Sequence, residues 1–421
     1  MTRTVIEGAY VVTVDSVGSE HPRGHVVIDG TRIVAVGEGD APPELLDGAT
    51  RIDGTGHLLT PGLINTHHHL YQWLTRGIAQ DSILFDWLVA LYPSWSCIDA
   101  GLVRAGAAGA MAVLARSGCT TVADHHYVFP QGSGDILGGI IDAGTELGLR
   151  LHLTRGSMDL GSSQGGLPPD FAVETTDAAL QASADAVARY HLPGFDSMVR
   201  VAIAPCSPFS VTADLLRESA VLARDLGVRL HTHGSETVEE EAFCLERFGM
   251  GPTDYLESLG WLGDDVWMAH CVHLDEQSIA KFAATGTGVA HCPSSNESGQ
   301  LGTEIRNSLL MNRLRSGADS ITGRDVLRVA TMGGARVLGR QDEIGSIEPG
   351  KLADLALWRI DGVEHAGIAD PVAALTLAGM PPLALLFVNG ETVVEEGELS
   401  RADEREIARV AALAARELAG R

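Results

Sequence analysis

Lysine is almost missing from this 421-residue chain: Lys281 and Lys351 are the only two, and arginine makes up the rest of 30 basic side chains. Against 55 acidic residues this leaves a formal charge of −25. Such a surface repels a polyanion, which disfavours nucleic acid and anionic membranes as partners. No apolar run approaches the ~20 residues that a membrane helix needs. The six cysteines show no C-x-x-C spacing and lie scattered through apolar runs, as buried free thiols of a reducing compartment do. The first stretch alternates like a strand and carries Glu7 and Asp15 early, unlike a signal peptide. The expected location is the cytoplasm.

What is present is an ordinary globular composition, 45% apolar and 20% charged, which argues against disorder and fibres. The length suits one large domain such as a barrel together with a lesser one. Residues 4–15, 25–29 and 32–36 read as strands, with a hairpin turn at Asp29–Gly30; residues 355–358, 386–388 and 392–395 read alike, turning at Asn389–Gly390. Two β-rich ends around an α/β middle predict one small composite β domain built from both termini. The middle alternates strands (63–66, 120–123, 150–154, 199–204, 228–231, 266–269 and 288–291) with helices such as 105–115, 177–190, 212–226 and 237–248. Seven strand–helix units predict a (β/α)₈ barrel one strand short. After His291 the chain turns helical, near 301–315 and 324–338, and no eighth strand can be read. The expected segments are 1–58 and 344–421 for the β-sandwich and C-terminal helix, and 59–343 for the barrel.

Histidines stand where the barrel strands end. Strand one finishes His67-His68-His69; alternation points His67 and His69 together and His68 the other way. Strand five ends His231-Thr232-His233, with His233 nearer the mouth, and Glu236 follows within reach of a metal-bound water. A carboxylate there can take a proton from water and pass it to a leaving group. Strand six ends at His270, placed to ligate a metal or to hold its water. His125 and His126 end strand two, and one of them should face the pocket; His291 ends strand seven. Each histidine alone is a chance polar residue and Glu236 alone a surface acid at a helix start. Histidines ending strands one, five and six together point to a divalent metal at the mouth of the barrel.

With these motifs the chain resembles the amidohydrolase superfamily over nearly its whole length. Thr60-Pro61-Gly62-Leu63-Ile64-Asn65-Thr66-His67-His68-His69 is similar to the family's strand-one signature, His233-x-x-Glu236 to that of its mononuclear deaminases, and the run from Gly345 to Leu355 to its return into the β domain. The stretches His67–Gln72, Phe85–Leu88, Asp124–Pro130, Arg155–Gly161 and Ala204–Pro208 resemble the aminohydrolases of aromatic heterocycles, the 8-oxoguanine deaminases foremost, with the triazine hydrolases sharing several. The resemblance implies hydrolytic deamination of such a ring, 8-oxoguanine to urate and ammonia, with triazine, guanine and isoxanthopterin types as alternatives. Two-metal barrels of this kind bridge their ions with a carboxylated lysine from a middle strand. Strand four here has none, which favours one ion, Zn²⁺ with Fe²⁺ as the alternative, held by His67, His69 and His233. His270 would hold the water, Glu236 would move the protons, and Gln72 and Trp87 would read or stack on the heterocycle. The partners expected are this small substrate and water, with self-association left open. The family's last ligand, an aspartate ending strand eight, has no counterpart here. About 30 residues, one βα unit, are missing at Asn296–Glu297 by comparison, and a binding protein with a broken site is the alternative from another class.

Overall fold

The computed structural model describes residues 3–294 and 299–421. The Val- and Ile-rich ends form β1 (Thr4–Val12), β2 (Glu20–Asp29), β3 (Arg32–Glu38), β4 (Thr50–Asp53) and β5 (His57–Pro61). They share one mixed nine-stranded sheet with four strands from the far end of the chain. Its order runs Glu398–Leu399, Glu391–Glu395, Leu383–Val388, Leu355–Arg359, β5, β1, β2, β3, with β4 beside β1. The two chain ends meet where β5 lies antiparallel to Leu355–Arg359, Pro61 opposite Leu355 and His57 opposite Arg359. The expected join at 58/59 thus falls within β5. Alternate residues Ile6, Val26, Ile28, Leu59, Leu355 and Phe387 pack as a core of their own. At Asn389–Gly390 both residues have positive φ, 53° and 78°, as a two-residue hairpin whose twist matches its strands requires.

The second sheet is parallel and seven-stranded. It comprises β6 (Leu63–Asn65), β7 (Cys119–His126), β8 (Arg150–Ser157), β9 (Val199–Pro205), β10 (Leu230–Gly234), β11 (Val266–His270) and β12 (Gly288–Ala290), side by side in chain order. All eight residues of β7 and of β8 are buried, because helices cover one face and the barrel interior the other. The crossover helices begin and end as their sequences dictate. Asp135, Thr175, Thr212, Thr237 and Asp275 cap N-termini with their side chains, and Gly148, Gly227, Gly249 and Gly286 close C-termini in the left-handed region.

Gly62 carries the chain from the mixed sheet into the barrel. A Cβ there would sit 2.2–2.4 Å from the Cγ2 and Oγ1 of Thr120, so the Pro-Gly signature is a packing requirement. The two sheets are also bolted by a buried ion pair. Arg150, opening β8, donates from Nε and Nη2 to Asp354, each at 2.9 Å, and from Nη1 to the Ser197 carbonyl at 2.9 Å. Asp354 in turn accepts from the Asn389 N–H at 2.8 Å.

Among the described residues the parallel sheet does not close, and β6 and β12 are its edges. The helical run 323–337, interrupted by a π-turn at Val329–Gly333, packs against both edges. Gly334 lies so close to β6 that a Cβ would stand 2.9 Å from that of Ile64. A cavity of about 270 Å³ remains in this seam, bordered by Ile64, His68, Val289, His291 and Ile305. The Asn296–Glu297 junction, where the sequence places a missing βα unit, lies outside the described residues.

Candidate active site

Strand-end geometry brings the histidines together as alternation requires. His67, His69, His125 and His233 are all buried, and one ring nitrogen from each lies within 4.8 Å of those of the other three. The remaining ring nitrogens are already engaged, and the network assigns the tautomers. His69 Nδ1 lies 2.6 Å from the His125 carbonyl and His233 Nδ1 2.6 Å from that of Cys206, so both must carry protons. His231 Nδ1 donates to the Trp267 carbonyl at 2.9 Å, which leaves its Nε2 to accept from His67 Nδ1 at 2.9 Å. The ε nitrogens of His67, His69 and His233 are therefore lone pairs turned toward a common point. His67 Nε2 is buried with no partner, and the Nε2 atoms of His69 and His233 are 3.2 Å apart.

This donor set fits a divalent ion. Each imidazole is neutral, as ligation demands, and each is anchored through its second nitrogen, the arrangement that fixes a metal-binding histidine. Burial, together with the neighbouring imidazoles, holds His67 and His69 well below the usual histidine range, and burial brings His233 down to about 4. A thiolate-free, imidazole-rich set suits zinc and also iron.

The candidate pocket beside this cluster has a volume of about 440 Å³, bordered by His69, Gln72, Trp87, Tyr127, His233, Glu236 and His270. Glu236 Oε1 stands 3.3 Å from His270 Nε2, close but without hydrogen-bond alignment. Burial, reinforced by the charge of Glu240, pushes the Glu236 carboxyl up to about 8, so it holds a proton at neutral pH. Glu240 fixes the loop from behind, accepting from the Ser235 and Glu236 N–H groups at 3.0 and 2.8 Å. The backbone is strained here: Ser235, His270 and Cys271 take positive φ of 51°, 71° and 53°, a cost that structures retain at functional sites.

Gln72 is buried, its Nε2 3.4 Å from both the Tyr71 and Tyr127 hydroxyls. Trp87 is half-buried, edge-on to Trp95 at 5.2 Å, and also borders the pocket. His68 points away from the cluster into the seam cavity, which His291 also borders, and His126 turns outward to the Val128 carbonyl at 2.7 Å. Three cysteines are buried, whereas Cys97, Cys271 and Cys292 are half-buried; all six are free thiols. Sequence reasoning left the strand-two histidine undecided and gave His231 no role. The signal for His231 was its alternation with His233; what it lacked was depth, which makes His231 the support of His67.

The amidohydrolase family model matches residues 58–310 and 294–393, two pieces that overlap across the Asn296–Glu297 junction. Over 438 aligned positions the chain is 40% identical to 8-oxoguanine deaminase of Pseudomonas aeruginosa, covering 96% of each protein. It is 33% identical to an isoxanthopterin deaminase from an unknown prokaryotic organism, covering 95% of this chain and 93% of that one. Among solved structures, atrazine chlorohydrolase from Arthrobacter aurescens TC1, in complex with zinc, superposes with a TM-score of 0.90 at 32% identity, covering 98% of this chain and all of the other.

Proposed function

Because the chain belongs to the amidohydrolase family, we propose that it hydrolytically deaminates an aromatic heterocycle. The best substrate would be 8-oxoguanine, which with water gives urate and ammonia. The observation that carries this reading is Glu236: a carboxyl kept protonated by burial faces His270 in the pocket onto which His69 and His233 open. A divalent ion held by His67, His69 and His233 would supply the Lewis acidity that makes water nucleophilic near neutral pH. Glu236 donates its proton to a ring nitrogen beside the amino-bearing carbon, carries one proton of the attacking water to the departing ammonia, and takes back that water's second proton as the carbonyl forms. His270, beside Glu236, orients that water. Gln72 offers a buried amide to the heterocycle's polar edge, and Trp87 offers a ring against its face.

The likeness to the 8-oxoguanine and isoxanthopterin deaminases supports a fused bicyclic substrate, and a small neutral base suits an acidic protein. A triazine hydrolase is the second reading, favoured by the superposition on the atrazine chlorohydrolase. The division into 1–58, 59–343 and 344–421, and a cytoplasmic setting, belong to the same proposal; no helix among the described residues is long and apolar enough to cross a membrane. Ammonia release from a panel of aminated purines, pterins and triazines, with metal analysis of the same sample, tests the reading. Fastest turnover of 8-oxoguanine is expected. Turnover of triazines alone would replace the substrate, and no turnover by metal-loaded protein would leave only a binding protein.

A further inference from the structure

The geometry points to His125 as a fourth protein ligand of the metal, an inference that rests on the metal reading of the site and extends it to a residue on barrel strand two. His125 is fully buried, and its backbone N–H donates to the His68 carbonyl at 2.6 Å, which pins β7 to the end of strand one. Its Nε2 lies 3.1 Å from the Ala204 carbonyl, so that nitrogen bears the ring proton. The lone pair must then be on Nδ1. That atom is buried and has no hydrogen-bond partner, and it belongs to a ring that stands in one close group with those of His67, His69 and His233. The ring is held there by stacking on His233, with centroids 4.7 Å apart and planes 23° from parallel.

An ion that also binds the attacking water has room for four protein donors when its coordination expands to five. Among the described residues no carboxylate belongs to the group, and His125 is the one further member with an orphaned lone pair. His231 has both ring nitrogens engaged, to Trp267 and His67, and His126, whose Nε2 turns to Val128 on the outer side, does not belong to the group. Four neutral imidazoles would leave the ion's full charge uncompensated, a stronger Lewis acid than a site holding a carboxylate.

The test uses two replacements that separate the two ring nitrogens. His125→Gln carries its amide at the distance of Nε2, so it keeps the contact to Ala204 and removes the metal-facing donor. His125→Asn carries its carbonyl oxygen at the distance of Nδ1 and keeps a donor toward the metal. Zinc-loaded proteins are compared by X-ray absorption, which counts imidazoles around the ion, and by zinc affinity in competition with a chromophoric chelator. Four imidazoles are expected in the parent and three in His125→Gln. The affinity of His125→Gln should fall beyond the ~10–100-fold that follows loss of a residue merely supporting a ligand, with partial recovery in His125→Asn. Three imidazoles and an oxygen donor in the parent, or an unchanged imidazole count or affinity in His125→Gln, would overturn the assignment; should that variant not fold, the parent's own count decides. Four imidazoles in a parent that releases no ammonia would leave His125 in place while the deaminase reading fell.

Discussion

His69 and His233 face each other Nε2 to Nε2 at 3.2 Å, and both have already committed their Nδ1 protons to backbone carbonyls. Two neutral imidazoles so arranged cannot hydrogen-bond to one another, since neither ε nitrogen has a proton to give. The contact sets two lone pairs opposite each other in a buried, low-dielectric place. A cation between them turns that repulsion into two bonds.

Metal removal is therefore expected to cost stability as well as activity. Stripping the protein with a chelator should lower its melting temperature, and returning Zn²⁺ should raise it in a concentration-dependent way. Binding only to the native state stabilises by about 2.7 kcal/mol at a hundredfold excess over the dissociation constant. Calorimetry across a zinc titration checks this, and a melting temperature indifferent to zinc would remove the ion from the folded site.

Glu236→Gln keeps the shape of the side chain and removes its proton transfer. The variant should retain its metal and lose turnover by roughly 10²-fold or more, the scale of general acid–base catalysis. In the parent, an acid whose carboxyl is pushed up to about 8 is available below that value, so turnover should decline as pH rises through it. Glu236→Gln should lack this alkaline limb. Steady-state rates from pH 6 to 9 with parallel metal analysis decide, and near-parental turnover would move the proton shuttle elsewhere.

The strand-end histidines are legible because an alternating strand puts every second residue on one face, which pairs His67 with His69 and His231 with His233. The same rule could not choose between His125 and His126. Their strand is buried on all eight residues, so no polar–apolar contrast marks its inner face; the choice comes from the turn beyond, which ties His126 to Val128. The run read as one helix over 324–338 contains a π-turn at Val329–Gly333, whose extra residue per turn an apolar period does not reveal. The composite sheet was legible from its hairpin turns, but not the ion pair that binds it to the barrel: Arg150 and Asp354 stand 204 residues apart.

That ion pair gives a stability prediction remote from the chemistry. Arg150 and Asp354 have side chains 0% and 2% exposed, so removing one partner strands a buried charge, which costs about 3–5 kcal/mol. Asp354→Ala should fall by that amount in chemical denaturation, and Asp354→Asn, which can still accept from Arg150 and Asn389, by less. Both should turn over substrate normally at temperatures where they remain folded. A loss under 1 kcal/mol for the alanine variant would show that the two sheets are held together by their cores instead.

His152 supplies the clearest pH dependence away from the metal. It lies on β8, buried, with Nδ1 unpartnered. Burial first, and then the charges of Arg340, Arg229 and Arg200, hold its pKa well below 6.5. The native state keeps this imidazole neutral while the unfolded chain protonates it, so below pH 6.5 the unfolded state binds one more proton. Stability is thus fully present above the unfolded value and is lost as pH falls beneath it, with a slope approaching about 1.4 kcal/mol per pH unit for one such group. Other buried histidines add their own share, so the difference between two proteins isolates this one. Urea denaturation of metal-free parent and His152→Gln from pH 7.5 to 5 should show the parent falling more steeply below 6.5 by up to one proton's worth. Parallel slopes would mean that His152 titrates alike in both states, and that the arginines at the foot of the barrel do not keep it neutral.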